Sequence, residues 1–302
     1  MTARVRSGAL VATIATALVA VGVSCTALAD QNSRRIEPSS GTPEKTEKTG
    51  GEAYRVQYGW AVLYLSPFFE PHGKTYDLII HFHGAPFLQE ENIERTHLNA
   101  AVVSINVGIS ASSYSNCFAG PRSLDSLVEE TQRQVARSGR APGAHVGRIA
   151  LSAWSAGFGA VGSILATPGN ADKVDTVLLE DAPHANYLAP NVVNDGAIQK
   201  WVDYAVRAMK GEKLFALTHS SIMTEGYPST TETIGEMIKM LGVPKVAHPV
   251  TGPRGMREIY ETDRGNFHVK GYEGTQKEDH IDHIKGMSET VLPYLKARWS
   301  TD

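Results

Sequence analysis

The chain has 302 residues, 42% hydrophobic and 20% charged, with 29 Lys and Arg against 32 Asp and Glu. That near-neutral balance, with no basic run and no interleaving of aromatic and basic residues, excludes nucleic acid as a partner. After the leader and linker described next, about 250 residues remain, enough for one large α/β domain with a full core.

Residues 1–29 read as a secretory signal peptide. Arg4 and Arg6 give a basic start, Ala9 to Val23 an apolar stretch, and Ala27-Leu28-Ala29 a small-x-small cleavage signal before Asp30. The stretch is too short and wrongly flanked for a membrane span, and it predicts export to the periplasm or the extracellular space. Cys25 keeps an alternative open, a lipidated first residue that anchors the chain, although Gly22 and Val23 fit a lipobox poorly. Residues 30–52 are Ser, Thr, Pro, Gly, Lys and Glu with almost nothing apolar, the composition of a flexible linker. Removing the leader leaves Cys117 as the one cysteine of the 53–302 domain, so no internal disulfide is expected and Cys117 reads as a packed small residue.

Within the domain, Tyr54, Val56, Tyr58, Trp60, Val62 and Tyr64 alternate with period two, predicting an antiparallel opening strand or hairpin. Tyr76 to Phe82 and Ala100 to Val107 are continuous apolar runs, suited to strands buried on both faces. Gly108 to Gly120 reads as a Ser/Gly-rich loop. A helix starts at Ser123 with Leu124, Leu127, Val128, Thr131 and Val135 on one face and closes at Gly139. The next run, Ile149 to Ala153, leads through Trp154 into Ser155-Ala156-Gly157, and a helix follows from Ala160 to Ala166. Strand, sharp turn, serine and helix present a nucleophilic hydroxyl above a parallel sheet, and the small residues Ala153 and Gly157 suit the crowding of such an elbow. Ala153 stands where the pattern usually has Gly.

Val174 to Leu179 is the next predicted strand, ending in Glu180-Asp181. A helix from Ala197 to Lys210 and a strand from Leu214 to Thr218 follow. Ser229-Thr230-Thr231-Glu232 matches a capping box opening a helix to Leu241. A last strand lies within Arg257 to Tyr272, and a terminal helix from about Ile284 carries Pro293, which should kink it. Strands alternating with amphipathic helices predict a mostly parallel twisted sheet with helices on both faces. Reactive groups then gather at the carboxyl ends of the strands, with the polar loops Gly108 to Gly120 and Ala185 to Gly196 as a pocket roof.

On His83-Gly84 after an early strand, Ala-Trp-Ser-Ala-Gly at the elbow and a late histidine before the final helix, the chain resembles the α/β-hydrolase superfamily over most of Tyr54 to Trp299. More loosely, it is similar to secreted bacterial esterases and depolymerase-like hydrolases. The resemblance implies an α/β-hydrolase fold and a serine hydrolase with a triad in the order Ser, acid, His. Ser155 is a weak nucleophile at neutral pH and needs a base. His280, in the loop expected after the last strand, is preferred, with His283 as the alternative base and otherwise a solvated or capping side chain. The acid is Asp181, with Glu225 as the alternative, because Thr218-His219-Ser220-Ser221 offers none where most such hydrolases carry it. Glu180 should point to the other side. The resemblance implies an oxyanion hole from the N–H groups of Ala85 and Ala156, and no cofactor.

His184, His219 and Tyr227 are candidates for the substrate pocket. The expected substrate is a small-molecule or polymeric ester. Two other classes stay open. The missing acid after Thr218 suits a non-catalytic binding or surface protein on a hydrolase scaffold. His81 and His83, on one strand face, suit a metal-dependent hydrolase that shares a metal between two imidazoles.

Overall fold

The computed structural model describes residues 52–300, so the predicted leader, its cleavage site, Cys25 and nearly all of the linker lie outside the described residues. The period-two aromatic run forms a hairpin, β1 (Tyr54–Tyr58) and β2 (Ala61–Leu65), turned at Gly59 with φ 56°. β3 (Thr75–Phe82) is the first central strand, buried along nearly its whole length. A helix that sequence periodicity did not single out, α1 (Pro86–Thr96), follows with Pro86 in its first turn, and β4 (Ala101–Ile105) returns beside β3.

The stretch expected as a Ser/Gly-rich loop contains α2 (Ala111–Phe118), capped by the Ser110 hydroxyl. Its serines hid a helix whose buried side is carried by Tyr114 and Phe118 alone. Cys117 on this helix is disulfide-bonded, which corrects the expectation of an unbridged residue.

Then come α3 (Ser123–Arg137), β5 (His145–Trp154), a 3-10 turn at Ser155–Gly157, α4 (Phe158–Ala166), the single turn α5 (Asn170–Lys173) and β6 (Thr176–Glu180). A two-stranded ribbon, β7 (Tyr187–Ala189) with β8 (Val192–Val193), lies in the loop before α6 (Asp195–Met209). β9 (Leu214–His219) precedes α7 (Thr230–Leu241), which has the predicted Ser229–Glu232 capping box and a left-handed Gly242.

The single last strand expected within Arg257 to Tyr272 is two, β11 (Arg257–Arg264) and β12 (Phe267–Tyr272), and an unexpected strand, β10 (Val246–Thr251), precedes them; the three form an antiparallel extension of the sheet. The terminal helix expected from about Ile284 starts earlier, at Lys277, and comes in three pieces: α8 (Lys277–Lys285), α9 (Met287–Thr290) and α10 (Leu292–Trp299). Pro293 sits in the first turn of α10, so it starts a new helix rather than kinking an old one.

The main sheet has ten strands in the order β1-β2-β4-β3-β5-β6-β9-β12-β11-β10. Strands β4, β3, β5, β6, β9 and β12 run parallel, and the edge strands are antiparallel. Side chains alternate between two cores, as the pleat requires. Leu78, Ile80, Leu151, Val177 and Phe215 meet Tyr114, Val161, Ile164, Trp201 and Met237 on one face. Ile79, Val102, Ala150, Leu178 and Ala216 meet Ile93, Ile284, Met287 and Leu295 on the other. Helices α1, α8, α9 and α10 therefore cover one face, and α2, α3, α4, α6 and α7 the other. Each fully buried Leu, Ile or Phe contributes roughly 1.5–3 kcal/mol by removal from water.

The last helix is locked to the amino ends of the strands. Arg148 Nη2 donates to Asp77 Oδ2 at 2.7 Å and to the Trp299 carbonyl at 3.0 Å, and Arg298 Nη2 donates to Asp175 at 2.7 Å. The carboxyl ends stay clear for chemistry. No helix among the described residues is long and apolar enough to cross a membrane.

Candidate active site

β5 leaves the sheet at Trp154 with extended backbone, and Ser155 then takes φ 48°. A left-handed serine is a strained residue held by its surroundings, as a nucleophile elbow demands. The clamp is visible at Gly157, where a Cβ would stand 2.1 Å from the Phe82 carbonyl oxygen, so only glycine fits. Ala153 is fully buried, in register with Phe82 of β3 and Leu179 of β6, and the sheet accommodates its methyl group. The elbow thus packs against the end of β3, from which His83, Gly84 and Ala85 depart. Ala85 is the cap residue of α1, and Ala156 lies in the turn after Ser155; both are half-buried.

His83 also has positive φ, 75°, and its Nδ1 lies 2.9 Å from the Tyr114 hydroxyl, which braces the loop. Gly84 has φ 101°, and a Cβ there would meet Ile284 Cδ1 at 2.4 Å, so this loop presses on α8. His81 is buried. Its Nε2 lies 2.7 Å from the His83 carbonyl, which can only accept, so Nε2 carries a proton. Its Nδ1 lies 2.9 Å from Ser152 Oγ, and burial pushes its pKa down to about 3. Both ring nitrogens are engaged, so His81 and His83 do not form the metal-binding pair that their spacing suggested.

Asp181 follows β6 with φ 45° and is 2% exposed. Its Oδ2 accepts from His280 Nδ1 at 2.7 Å and from Ser220 Oγ at 2.8 Å. Its Oδ1 accepts from the Ser220 amide and from Thr230 Oγ1, each at 2.8 Å. Burial alone would raise this carboxyl. The charge of His283, the His280 hydrogen bond and charge, and the Ser220 amide overcome burial and hold it well below the usual carboxylate range. The acid-free end of β9 is thereby explained: Ser220, just after β9, supplies two donors to a carboxylate borne by the neighbouring strand. Glu225 lies exposed, and the carboxylate bonded to a late histidine is Asp181, not Glu225.

His280 stands on the fourth residue of α8, inside the helix rather than in the preceding loop. Its Nδ1–H points to Asp181, which leaves Nε2 as the basic nitrogen. Trp154, one residue before Ser155, packs its ring at 4.6 Å from the His280 ring and 5.1 Å from that of His83. This tryptophan is the contact between elbow and histidine.

His283 is neither solvated nor a cap. It is fully buried, 2.6 Å from Thr218 Oγ1 and 3.6 Å from Glu180. Glu180 does point away from the Asp181 side, bonding Thr218 and Thr290 hydroxyls. Of the pocket candidates, His219 is buried, bonded to Tyr260 and pushed down to about 4 by burial, so it does not line a pocket. His184 sits between Phe158 and exposed Tyr227, at ring distances of 5.9 and 5.1 Å. The residues that sequence reasoning missed are Ser220 and Thr230. The capping box marked where α7 starts, but nothing local shows that its first residue faces Asp181.

No protein-family model and no curated protein matches the chain. Among solved structures, it is similar to a variant of the feruloyl esterase module from Clostridium thermocellum complexed with sinapinate. That match has 14% identity and TM-score 0.45, covering 81% of this chain and 88% of that one. It is also similar to the BES protein from Bacillus cereus, with 14% identity and TM-score 0.44, covering 84% and 97%. The siderophore hydrolase EstB from Aspergillus nidulans matches with 13% identity and TM-score 0.42, covering 82% and 96%. Likenesses of this degree bear on neither substrate nor mechanism. By its own sheet order, its strained serine turn after β5 and its polar residues at the strand carboxyl ends, the chain has the α/β-hydrolase fold.

Proposed function

We propose that the chain is an exported serine hydrolase that cleaves carboxylic ester bonds through an acyl-enzyme. The observation that carries this reading is the 2.7 Å hydrogen bond from His280 Nδ1 to buried Asp181, on a histidine packed against the residue that precedes Ser155. His280 Nε2 takes the Ser155 proton as Oγ attacks the ester carbonyl carbon. The N–H groups of Ala85 and Ala156 receive the oxyanion. Collapse breaks the C–O bond, and the departing alkoxide takes the proton from His280. Water, activated by the same nitrogen, then releases the acid. Asp181 stays ionised throughout and stabilises the imidazolium. No step calls for a cofactor. The missing acid after β9 no longer favours a non-catalytic scaffold, since Asp181 fills that place from β6.

Incubation with a fluorophosphonate probe tests this. The expected result is one label on Ser155, abolished in Ser155→Ala, with hydrolysis of a p-nitrophenyl ester falling by about six orders of magnitude. A folded wild-type protein that takes no label, or a Ser155→Ala variant that still turns over, defeats the reading.

A further inference from the structure

Glu180 and Asp181 are consecutive, yet each meets its own histidine on α8, three residues apart: Asp181 with His280, Glu180 with His283. We propose that His283 is a positioning residue for the reaction proposed above: with Glu180 and Thr218 it forms a second, buried acid–base pair that sets the charge around Asp181 and His280. The inference rests on the triad reading for its meaning, but not for its test.

The hydrogen bonds fix the Nδ1 proton of His283; Nε2 is buried without a hydrogen-bond partner, so a second proton there is held by the neighbouring carboxylate charges alone. The Thr218 hydroxyl donates to Glu180 and has no second hydrogen, so the bond at 2.6 Å requires His283 Nδ1–H as donor. The amide of Asp181 also reaches Thr218 Oγ1, at 3.3 Å, so one hydroxyl joins both acid–base pairs. Thr290 Oγ1 donates to the other oxygen of Glu180 at 2.7 Å. A carboxylate with no exposure, held only by hydroxyls, needs a counter-charge, and His283 lies 3.6 Å away with 1% side-chain exposure. From β6, then, His283 faces Glu180 and, beyond it, Asp181. From β9 it faces Thr218 and neutral His219; from β12, the ring of Tyr272 at 5.3 Å; along its own helix, Asp279 and His280. Arg257, across the neighbouring cleft, is engaged by Glu273 at 3.2 Å. Burial pulls the His283 pKa down, but Asp181, Glu180 and Asp279 outweigh it, and the net direction is up.

A charged His283 behind Asp181 keeps that carboxylate ionised when His280 becomes an imidazolium. Glu180 offsets the charge, so the pair as a whole adds little net charge beside His280. Removing His283 alone leaves Glu180 uncompensated and should raise the pKa of His280; removing both should return it.

The test is a 15N NMR titration of the histidines in the full chain, assigned by single His→Gln substitutions. His283→Gln should move the His280 midpoint upward by about half a pH unit or more, and Glu180→Gln/His283→Gln should bring it back. The acidic limb of the fluorophosphonate labelling rate should follow both changes. In the wild type, His283 should stay doubly protonated at a pH where an ordinary histidine is neutral, a measurement that needs no variant to fold. An unmoved His280 midpoint in folded His283→Gln, a double variant that does not restore it, or a neutral wild-type His283 overturns the proposal. Loss of labelling in the wild type defeats the triad instead and leaves the titration to decide this pair.

Discussion

The indole Nε1 of Trp154 donates to the main-chain carbonyl of His280 at 2.9 Å, while its ring lies against the His280 imidazole. The residue before the candidate nucleophile thus holds its candidate base by backbone and ring together. Trp154→Phe keeps a ring but loses the donor. One hydrogen bond of about 1 kcal/mol corresponds to roughly a fivefold change, so kcat/KM for a p-nitrophenyl ester should fall by about that factor. Trp154→Ala should cost more, because the ring surface that positions His280 is lost too. If Trp154→Ala hydrolyses the ester as fast as the wild type, the tryptophan does not position the base.

Asp181→Asn should keep the fold and lose the reaction. An asparagine can still face Ser220 and Thr230, but its neutral amide neither fixes the Nδ1–H tautomer of His280 nor stabilises the imidazolium. The expected drop in kcat is about three to four orders of magnitude, with KM little changed. Glu225→Gln, on an exposed loop, should leave kcat unaltered. Steady-state kinetics on the two variants decides which carboxylate belongs to the triad.

The same carboxylate makes stability depend on acid. Its folded pKa lies far below the unfolded value of about 3.9, so its contribution is complete above that value and declines as pH falls from there toward the folded pKa. In this window the loss is about 1.4 kcal/mol per pH unit. Urea midpoints of the wild type and Asp181→Asn, measured at pH 6 and at pH 3, should lie farther apart at the higher pH, the gap narrowing by about 1 kcal/mol at the lower. A constant gap between the two proteins contradicts the linkage.

The elbow offers a matched pair of steric substitutions. In Gly157→Ala the new methyl group meets the Phe82 carbonyl oxygen, a backbone atom that cannot swing aside. Overpacking of this kind costs about 1–3 kcal/mol, and here it also pushes the Ser155 turn off β3. Ala153→Gly removes a methyl from a fully buried strand position and should cost about 1 kcal/mol with the turn intact. Thermal denaturation together with fluorophosphonate labelling should therefore find Gly157→Ala impaired in both, and Ala153→Gly only in melting temperature.

Much of this was legible in the sequence because it is written locally. The apolar runs of β3, β5 and β9 announce buried strands, and the turn around Ser155 requires small residues that composition displays. His280 and Asp181 could be nominated from strand-end positions. What the sequence hid is written across the fold. The hairpin β11–β12 blends into one long run, since its turn Gly265-Asn266 joins strands of mixed polarity. His283 looked solvated because Asp279, Asp282 and Lys285 surround it in sequence, whereas the helix turns it onto β6 and β9. The donors to Asp181 come from two other elements, and only the parallel register of β6 with β9 brings Ser220 to it.

Thr230 tests that cross-element support. It opens α7 beside the capping box, is 2% exposed, and sends its hydroxyl 2.8 Å to Asp181 rather than to its own helix. A hydrogen bond to a buried charge contributes about 1.5–3 kcal/mol, so Thr230→Ala should lower stability by that amount at neutral pH. The penalty should persist at pH 3, because Asp181, held well below the usual carboxylate range, stays ionised in the folded chain. Thr230→Ser keeps the hydroxyl and should recover most of the loss. If Thr230→Ser is as unstable as Thr230→Ala, the methyl group's packing, and not the bond to Asp181, is what Thr230 contributes.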